Sequence, residues 1–293
     1  MELRHLRYFV AVAEELHFLR AAQRLHIEQS PLSRAIKDLE ADLGVKLFER
    51  TTRSTRLTGA GEVFLEEARH VLSTCAQARA SARGAATGRK GRLRIGFAEG
   101  VAQTRLSDLL AQYRAEATEV DLKIVQMPLE HQVKALHTGS LDAGFAFAPV
   151  RRNGIQADPV WTDPVVAILP SRHALAAKSE VELREIAREP LVLCGGETGM
   201  DRNMQLEAAL LAACDLPNVV DRAENQQVQL TLVGAGYGLS LVLASNAETI
   251  QRSDVVVRPI AGSPPLIRTF LIYRGDESPG PVACFLERAR AVS

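Results

Sequence analysis

Residues 17–36 read His17-Phe18-Leu19-Arg20-Ala21-Ala22-Gln23-Arg24-Leu25-His26-Ile27-Glu28-Gln29-Ser30-Pro31-Leu32-Ser33-Arg34-Ala35-Ile36, two short helices joined by a tight turn. The first carries Phe18, Ala21, Ala22 and Leu25 on its inner side. The second carries Leu32, Ile36, Leu39 and Leu43 at steps of four, three and four, the stripe of an amphipathic helix. Pro31 suits its first turn, where a missing N–H costs nothing, and Gly44 stands where a helix C-cap glycine belongs. The opposite face offers Gln29, Ser33, Arg34 and Lys37, and Ser30 adds a donor near the helix N-terminus. Such short hydrogen-bonding and cationic side chains have no reason to be buried, and an outer face built from them suits a DNA major groove.

Upstream, Leu3–Leu16 predicts a helix with Leu6, Phe9, Val10 and Ala13 inward. Downstream, Val45–Arg50 reads as extended, residues 51–54 as a turn and Thr55–Leu57 as a returning strand. Three helices and a two-stranded ribbon make a winged helix-turn-helix. Arg50, Arg53 and Arg56 sit on or near the wing, within reach of phosphates or a minor groove. Thr58 then N-caps a helix running to about Ala86. Its apolar positions Leu57, Gly61, Phe64, Ala68, Val71, Cys75, Ala78, Ala82 and Ala85 alternate steps of four and three, a heptad seam rich in small residues. A seam that its own domain does not cover calls for a second chain, so this helix is read as the dimerisation element.

Gly84–Gly91 is glycine-rich and basic, a hinge. Beyond it strands near 93–98, 120–125, 141–147, 165–169, 191–194, 239–242 and 267–273 alternate with helices, ending with a helix at 282–291. Repeated β-α-β units predict parallel sheets covered on both faces. About 200 residues exceed what one small sheet needs, so two similar α/β lobes with a cleft between them are expected. The fold class is therefore α/β with an N-terminal all-α winged helix-turn-helix. The divisions are 1–58 for the DNA-binding domain, 59–88 for the linker helix and 89–293 for the two-lobed domain. Within the last, one lobe takes about 91–160 and 266–293, and the other about 161–265.

Composition narrows the function. The 293 residues are 46% hydrophobic and 24% charged, ordinary for a globular protein. No apolar run reaches the roughly 18–20 residues needed to cross a bilayer. The N-terminus reads as an amphipathic helix broken by Glu14 and Glu15, not as a leader, so a cytoplasmic, nucleoid-associated protein without a membrane partner is expected. Residues 1–90 hold 15 Lys and Arg against 11 Asp and Glu, and the remainder carries the opposite bias. A basic N-terminal part on an acidic body fits a nucleic-acid module joined to something else. Cys75, Cys194, Cys214 and Cys284 have no metal spacing; a redox pair of Cys194 with Cys214 stays open beside the reading of four reduced thiols.

The motifs do not support an enzyme. Gly234-Ala235-Gly236-Tyr237-Gly238 follows a helix and leads into a strand, the wrong order for a dinucleotide loop. There is no GxSxG elbow and no GxxxxGK loop. His131 and His137 lie six apart, off one helical face. No catalytic residue, metal or cofactor is expected. A ligand-binding protein or α/β enzyme without a DNA role is the alternative, and the N-terminal winged helix argues against it.

Together these stretches resemble the LysR-type transcriptional regulators. The likeness is densest in the opening Leu3-Arg4-His5-Leu6-Arg7-Tyr8-Phe9-Val10-Ala11-Val12-Ala13-Glu14-Glu15, Arg20-Ala21-Ala22, Gln29, Pro31-Leu32-Ser33-Arg34, Leu39-Glu40, Leu43-Gly44, Leu47-Phe48-Glu49-Arg50 and Leu57-Thr58-Gly59-Ala60-Gly61. It is weaker in Arg94-Ile95-Gly96, Gly139–Gly144 and Gly234–Val242. The resemblance implies a dimerising linker helix, a homotetramer of two dimers on paired half-sites of promoter DNA, and a two-lobed effector domain like a periplasmic binding protein. It implies DNA contacts from Gln29, Ser33 and Arg34, with Arg53 at the wing. Leu19 departs from the family's Ser or Thr, removing a phosphate contact, and Ser30 occupies a variable position. RNA polymerase is kept as a further partner.

In such a domain a small-molecule effector, or co-inducer, sits where two lobes face each other at the carboxyl ends of strands. That places Glu99, Gly100 and Val101, Met127, Phe145 and Phe147, the Gly195–Asn203 loop with Thr198 and Gly199, and Asn225 and Gln226 around the cleft. Glu99 would repel an anion unless paired. The expectation is a neutral or donor-bearing effector, or a Glu99 that points away into solvent.

Overall fold

The computed structural model describes residues 1–50, 55–86, 91–101, 103–150, 154–195, 200–213, 216–275 and 280–291. The chain forms two compact units, Met1–Lys90 with His137–Ser140, and Gly91–Leu136 with Leu141–Ser293.

The first unit begins with α1 (Leu3–Glu15), α2 (Phe18–Arg24) and α3 (Gln29–Leu43). Phe9, Val12, Leu32, Ile36, Leu39 and Leu47 are fully buried at its centre. Phe9 packs its ring 5.4 Å from Phe48 and 5.0 Å from Phe64. The turns around α2 use two left-handed residues, Leu16 (φ 47°) and His26 (φ 55°), while Gly44 closes α3 at φ 70°. Strands β1 (Phe48–Arg50) and β2 (Thr55–Leu57) pair antiparallel as the wing. Residues 51–54, and so Arg53, lie outside the described residues.

Helix α4 (Gly59–Ala86) starts on Thr58, whose Oγ1 accepts the Gly61 N–H at 2.9 Å. Gly61 must be glycine because a Cβ would sit 2.1 Å from the Leu47 carbonyl oxygen. The structure corrects the seam. Gly61 and Ala68 are buried, and Phe64, Leu65 and Leu72 pack on the unit's own core, because α1 lies along this half of α4. From Val71 onward the described apolar positions are Val71, Cys75, Ala78 and Ala82; all but the half-buried Cys75 are exposed.

The second unit contains strands β3 (Arg92–Phe97), β4 (Asp121–Gln126), β5 (Ala143–Ala146), β6 (Ile155–Pro170), β7 (Leu191–Cys194), β8 (Val219–Ala223), β9 (Ser240–Leu243), β10 (Val255–Pro259) and β11 (Leu266–Arg274). Helices α5 (Gln103–Glu116), α6 (Leu129–His137), α7 (Leu183–Arg188), α8 (Met200–Ala213), α9 (Gln226–Gly234), α10 (Ala244–Ala247) and α11 (Pro281–Ala291) accompany them. In one lobe the order is β4-β3-β5-β11-β6; in the other, β10 and β9 flank the second half of β6, and a single bridge from Leu191 to Leu239 brings in β7 and β8. β3 pairs parallel with β4 and β5, and β7 with β8, but β11, β9 and β10 run antiparallel to their neighbours. The expectation of parallel sheets is thus corrected to mixed ones.

β6 itself is longer than the sequence pattern implied. Residues 155–164 pair with β11 alone, and 165–170 pair with β9 and β10. The sequence reading places a strand only at 165–169; Pro159 and Pro164 fall in the earlier half, an edge stretch with one partner, which tolerates a residue lacking an N–H. β8, β10 and α10 were not anticipated: they are short, and β8 is exposed along most of its length.

Candidate functional site

In the first unit, α3 turns Leu32, Ile36 and Leu39 into the core, which fixes the opposite face outward. Gln29, Ser30, Arg34 and Lys37 are exposed there and Ser33 is half-buried. Residues 29, 33 and 37 stack one turn apart, and 30 and 34 flank them. No described residue pairs with the side chains of Gln29, Ser30, Arg34 or Lys37. By contrast Arg24 and Arg69 are tied to Glu14 at 2.8 and 2.7 Å. Arg34 and Lys37 are therefore the cations of this face left for an outside anion. Arg50 ends β1 and the exposed Arg56 lies mid-strand in β2, so both are carried by the wing. Leu19 is exposed on α2.

Glu40 links the recognition helix to the wing, a role the sequence reading missed. It is 4% exposed, and its Oε1 accepts the backbone N–H of Leu47 at 3.0 Å and of Phe48 at 3.2 Å. Lys46 reaches its other oxygen at 3.1 Å.

In the second unit the anticipated cleft residues separate into three groups. Phe145 and Val101 belong to the core, and the Phe147 ring is equally buried in it. Phe145 stacks on Trp161 at 4.9 Å with rings 4° apart and meets Phe285 edge-on. Only its carbonyl faces the strand ends, accepting Ala98 N–H and Gln132 Nε2. Met127 is half-buried just past β4, and Asn225 is exposed and caps α9 with its Oδ1 on Val228 N–H. Thr198 and Gly199 lie outside the described residues, as does Cys214.

Glu99, Gly100, Phe147 and Gln226 do come together. Glu99 follows β3 in one lobe, and Gln226 opens α9 in the other. Glu99 is 9% exposed, so the solvent-facing reading is overturned. Its Oε1 accepts the Gln226 N–H at 3.0 Å and lies 3.7 Å from the Cys194 thiol. A carboxylate at a helix N-terminus meets unpaired N–H groups and the positive end of the helix dipole. Glu99 is thereby paired, and the objection that it repels an anionic ligand loses force.

Arg202, in the first turn of α8, completes the group. It falls in the anticipated Gly195–Asn203 stretch, part of which is helix rather than loop. Arg202 is 6% exposed, its Nη1 donates to the Glu99 carbonyl at 3.4 Å, and its guanidinium lies 6.0 Å over the Phe147 ring. Gly100, at φ 79°, makes the room: a Cβ there would fall 1.6 Å from Arg202 Nη1. Asn246 holds the same loop by donating from Nδ2 to the Gly100 carbonyl at 2.9 Å. Beside the cleft, burial first and then the Glu130 carboxylate push the Asp201 carboxyl above its usual range.

A family model described as "Bacterial regulatory helix-turn-helix protein, lysR family" matches residues 3–62, and one described as "LysR substrate binding domain" matches residues 86–293. The chain belongs to the LysR family. Among curated relatives, the Bacillus subtilis regulator AlsR is 35% identical over 258 residues, covering 88% of this chain and 85% of its own. The Escherichia coli Hca operon transcriptional activator HcaR is 33% identical over 277 residues, covering 94% and 93%. The solved structure of full-length CbnR complexed with its target DNA superposes with a TM-score of 0.71 at 28% identity, covering all of both chains. This LysR-type protein is accordingly a DNA-binding transcriptional regulator with an effector-binding domain, not an enzyme. No helix among its described residues is long and apolar enough to cross a membrane.

Proposed function

We propose that this LysR-type regulator reads its promoter with α3 in the major groove, Gln29, Ser30, Ser33, Arg34 and Lys37 facing bases and phosphates, and Arg50, Arg53 and Arg56 holding the flanking backbone. The observation that carries this reading is the outer face of α3, where exposed Arg34 and Lys37 have no partner among the described residues. The wing strand supports it by presenting Arg56 outward from the same unit. Domains 1–58, 59–88 and 89–293 divide the work into DNA reading, dimerisation and effector sensing. The exposed stretch of α4 from Val71 to Ala82 pairs two chains, and two such dimers make the tetramer. An effector held among Glu99, Gly100, Phe147 and Gln226 changes promoter binding and bending, with RNA polymerase as the downstream partner, in the cytoplasm at the nucleoid.

Gel-shift titration against the DNA upstream of its own gene tests the DNA-reading part. Arg34→Ala is expected to weaken that complex about 5- to 150-fold while leaving random DNA less affected, as loss of a base contact worth about 1–3 kcal/mol requires. Arg56→Ala is expected to weaken both DNAs alike and to lower the salt slope by about one. Undiminished binding by Arg34→Ala would refute this placement of the helix.

A further inference from the structure

We propose that Arg202 is the anion receptor of the interlobe cleft, and that the effector carries a carboxylate that docks on it. The proposal rests on the effector-binding reading above and names its chemistry. Two features of this cleft attract negative charge. One is the N-terminus of α9, and Glu99, the chain's own carboxylate, is already on it through the Gln226 N–H. The other is Arg202. Its guanidinium is nearly buried, yet among the described residues no carboxylate pairs with it. What holds it is a carbonyl at 3.4 Å and the face of Phe147.

A guanidinium out of water is costly without an acid to pair with. Here it is not placed by accident. Glycine at position 100 leaves the space it occupies, Asn246 fixes that loop, and the ring of Phe147 lies beneath it. Arg202 comes from α8 in one lobe while Glu99, Gly100 and Phe147 come from the other. An anion on Arg202 is therefore bound where the lobes meet, and its binding bears on how they close. The planar guanidinium fork matches a carboxylate in two parallel hydrogen bonds. A phosphate dianion fits less well, since it would face the Glu99 carboxylate with one cation to offset it.

The test is a thermal-shift titration of the full-length protein with formate, acetate, benzoate and phenylacetate, each beside its neutral amide, and with inorganic phosphate. Wild type, Arg202→Lys and Arg202→Met are compared. At least one carboxylate is expected to raise the Tm of wild type by about 3 °C or more, its amide by far less. Arg202→Lys is expected to keep a weakened response and Arg202→Met none. If Arg202→Met does not fold by circular dichroism, the carboxylate–amide contrast and the Lys variant decide. No response to any carboxylate, equal response to the amides, response to phosphate alone, or an undiminished response in Arg202→Met would overturn the proposal.

Gel shifts run in parallel separate this proposal from the reading beneath it. A neutral compound that alters the DNA complex while no carboxylate binds defeats the Arg202 assignment and leaves the effector-gated regulator standing. A carboxylate that binds through Arg202 yet leaves the DNA complex unchanged keeps the assignment and defeats the gating.

Discussion

Glu40 sets the position of the wing through one carboxylate oxygen shared by two backbone donors. Replacing it by Ala leaves both N–H groups buried without an acceptor, at about 1–3 kcal/mol each before relaxation. Glu40→Ala is expected to destabilise the first unit by about 2–4 kcal/mol in urea melts, with Glu40→Gln recovering much of the loss through its remaining carbonyl oxygen. Glu14 works differently. Burial raises its carboxyl, but hydrogen bonds from Arg69 and Arg24 outweigh that and hold it below the ordinary glutamate value of 4.5. A lowered folded value means stability that is present above 4.5 and lost as pH falls through the folded value. The deficit of Glu14→Gln against wild type is therefore expected to be largest near neutral pH and to vanish in acid, and a pH-independent deficit would contradict the ion pairs. Neither role was legible beforehand. Glu40 reads as one more polar position beside Leu39, and its donors come from residues seven and eight positions further along.

At the level of elements, periodicity did most of the work where one face is buried and the other wet. α3, with its strict stripe and its glycine cap, is the clear case. It did least where an element is buried all round or exposed all round. β5 is buried at every position, so alternation could not show that Phe145 stacks on Trp161 while the equally buried Phe147, just past the strand, lies under Arg202. β8 is mostly exposed, and carried no apolar run to announce it. The heptad spacing of α4 serves two ends in the fold: its first half packs against α1, and its second half is an open stretch. Val71 opens that stretch and is 37% exposed. A charge there costs the folded monomer little, usually within about 0.5 kcal/mol. Val71→Glu is accordingly expected to yield monomers by light scattering with an unchanged helix content, and an intact dimer would rule out the seam as the contact between chains.

The whole molecule shows a repeat that the sequence conceals. In one lobe β3, α5, β4, α6 and β5 follow one another; in the other β7, α8, β8, α9 and β9 do. Each lobe then buries a glutamine at the fourth residue of its second helix. Gln132 donates to the Met127 and Phe145 carbonyls, and Gln229 reaches the Val192 carbonyl and Ser240 Oγ. Gly144 leaves room for Gln132, since a Cβ there would lie 2.1 Å from its Oε1. Two lobes were foreseeable from the length of the α/β block. Their joint use of β6 was not, because the prolines at 159 and 164 disguised the strand that serves both.

One small contact has a practical reach. At Gly91 a Cβ would come within 2.7 Å of the Pro281 ring, and the Tyr113 hydroxyl donates to the Pro281 carbonyl at 2.9 Å. The α/β unit thus receives the chain and starts its last helix at nearly the same spot. A fragment of residues 91–293 is expected to melt in one cooperative step, close to the corresponding transition of the full chain.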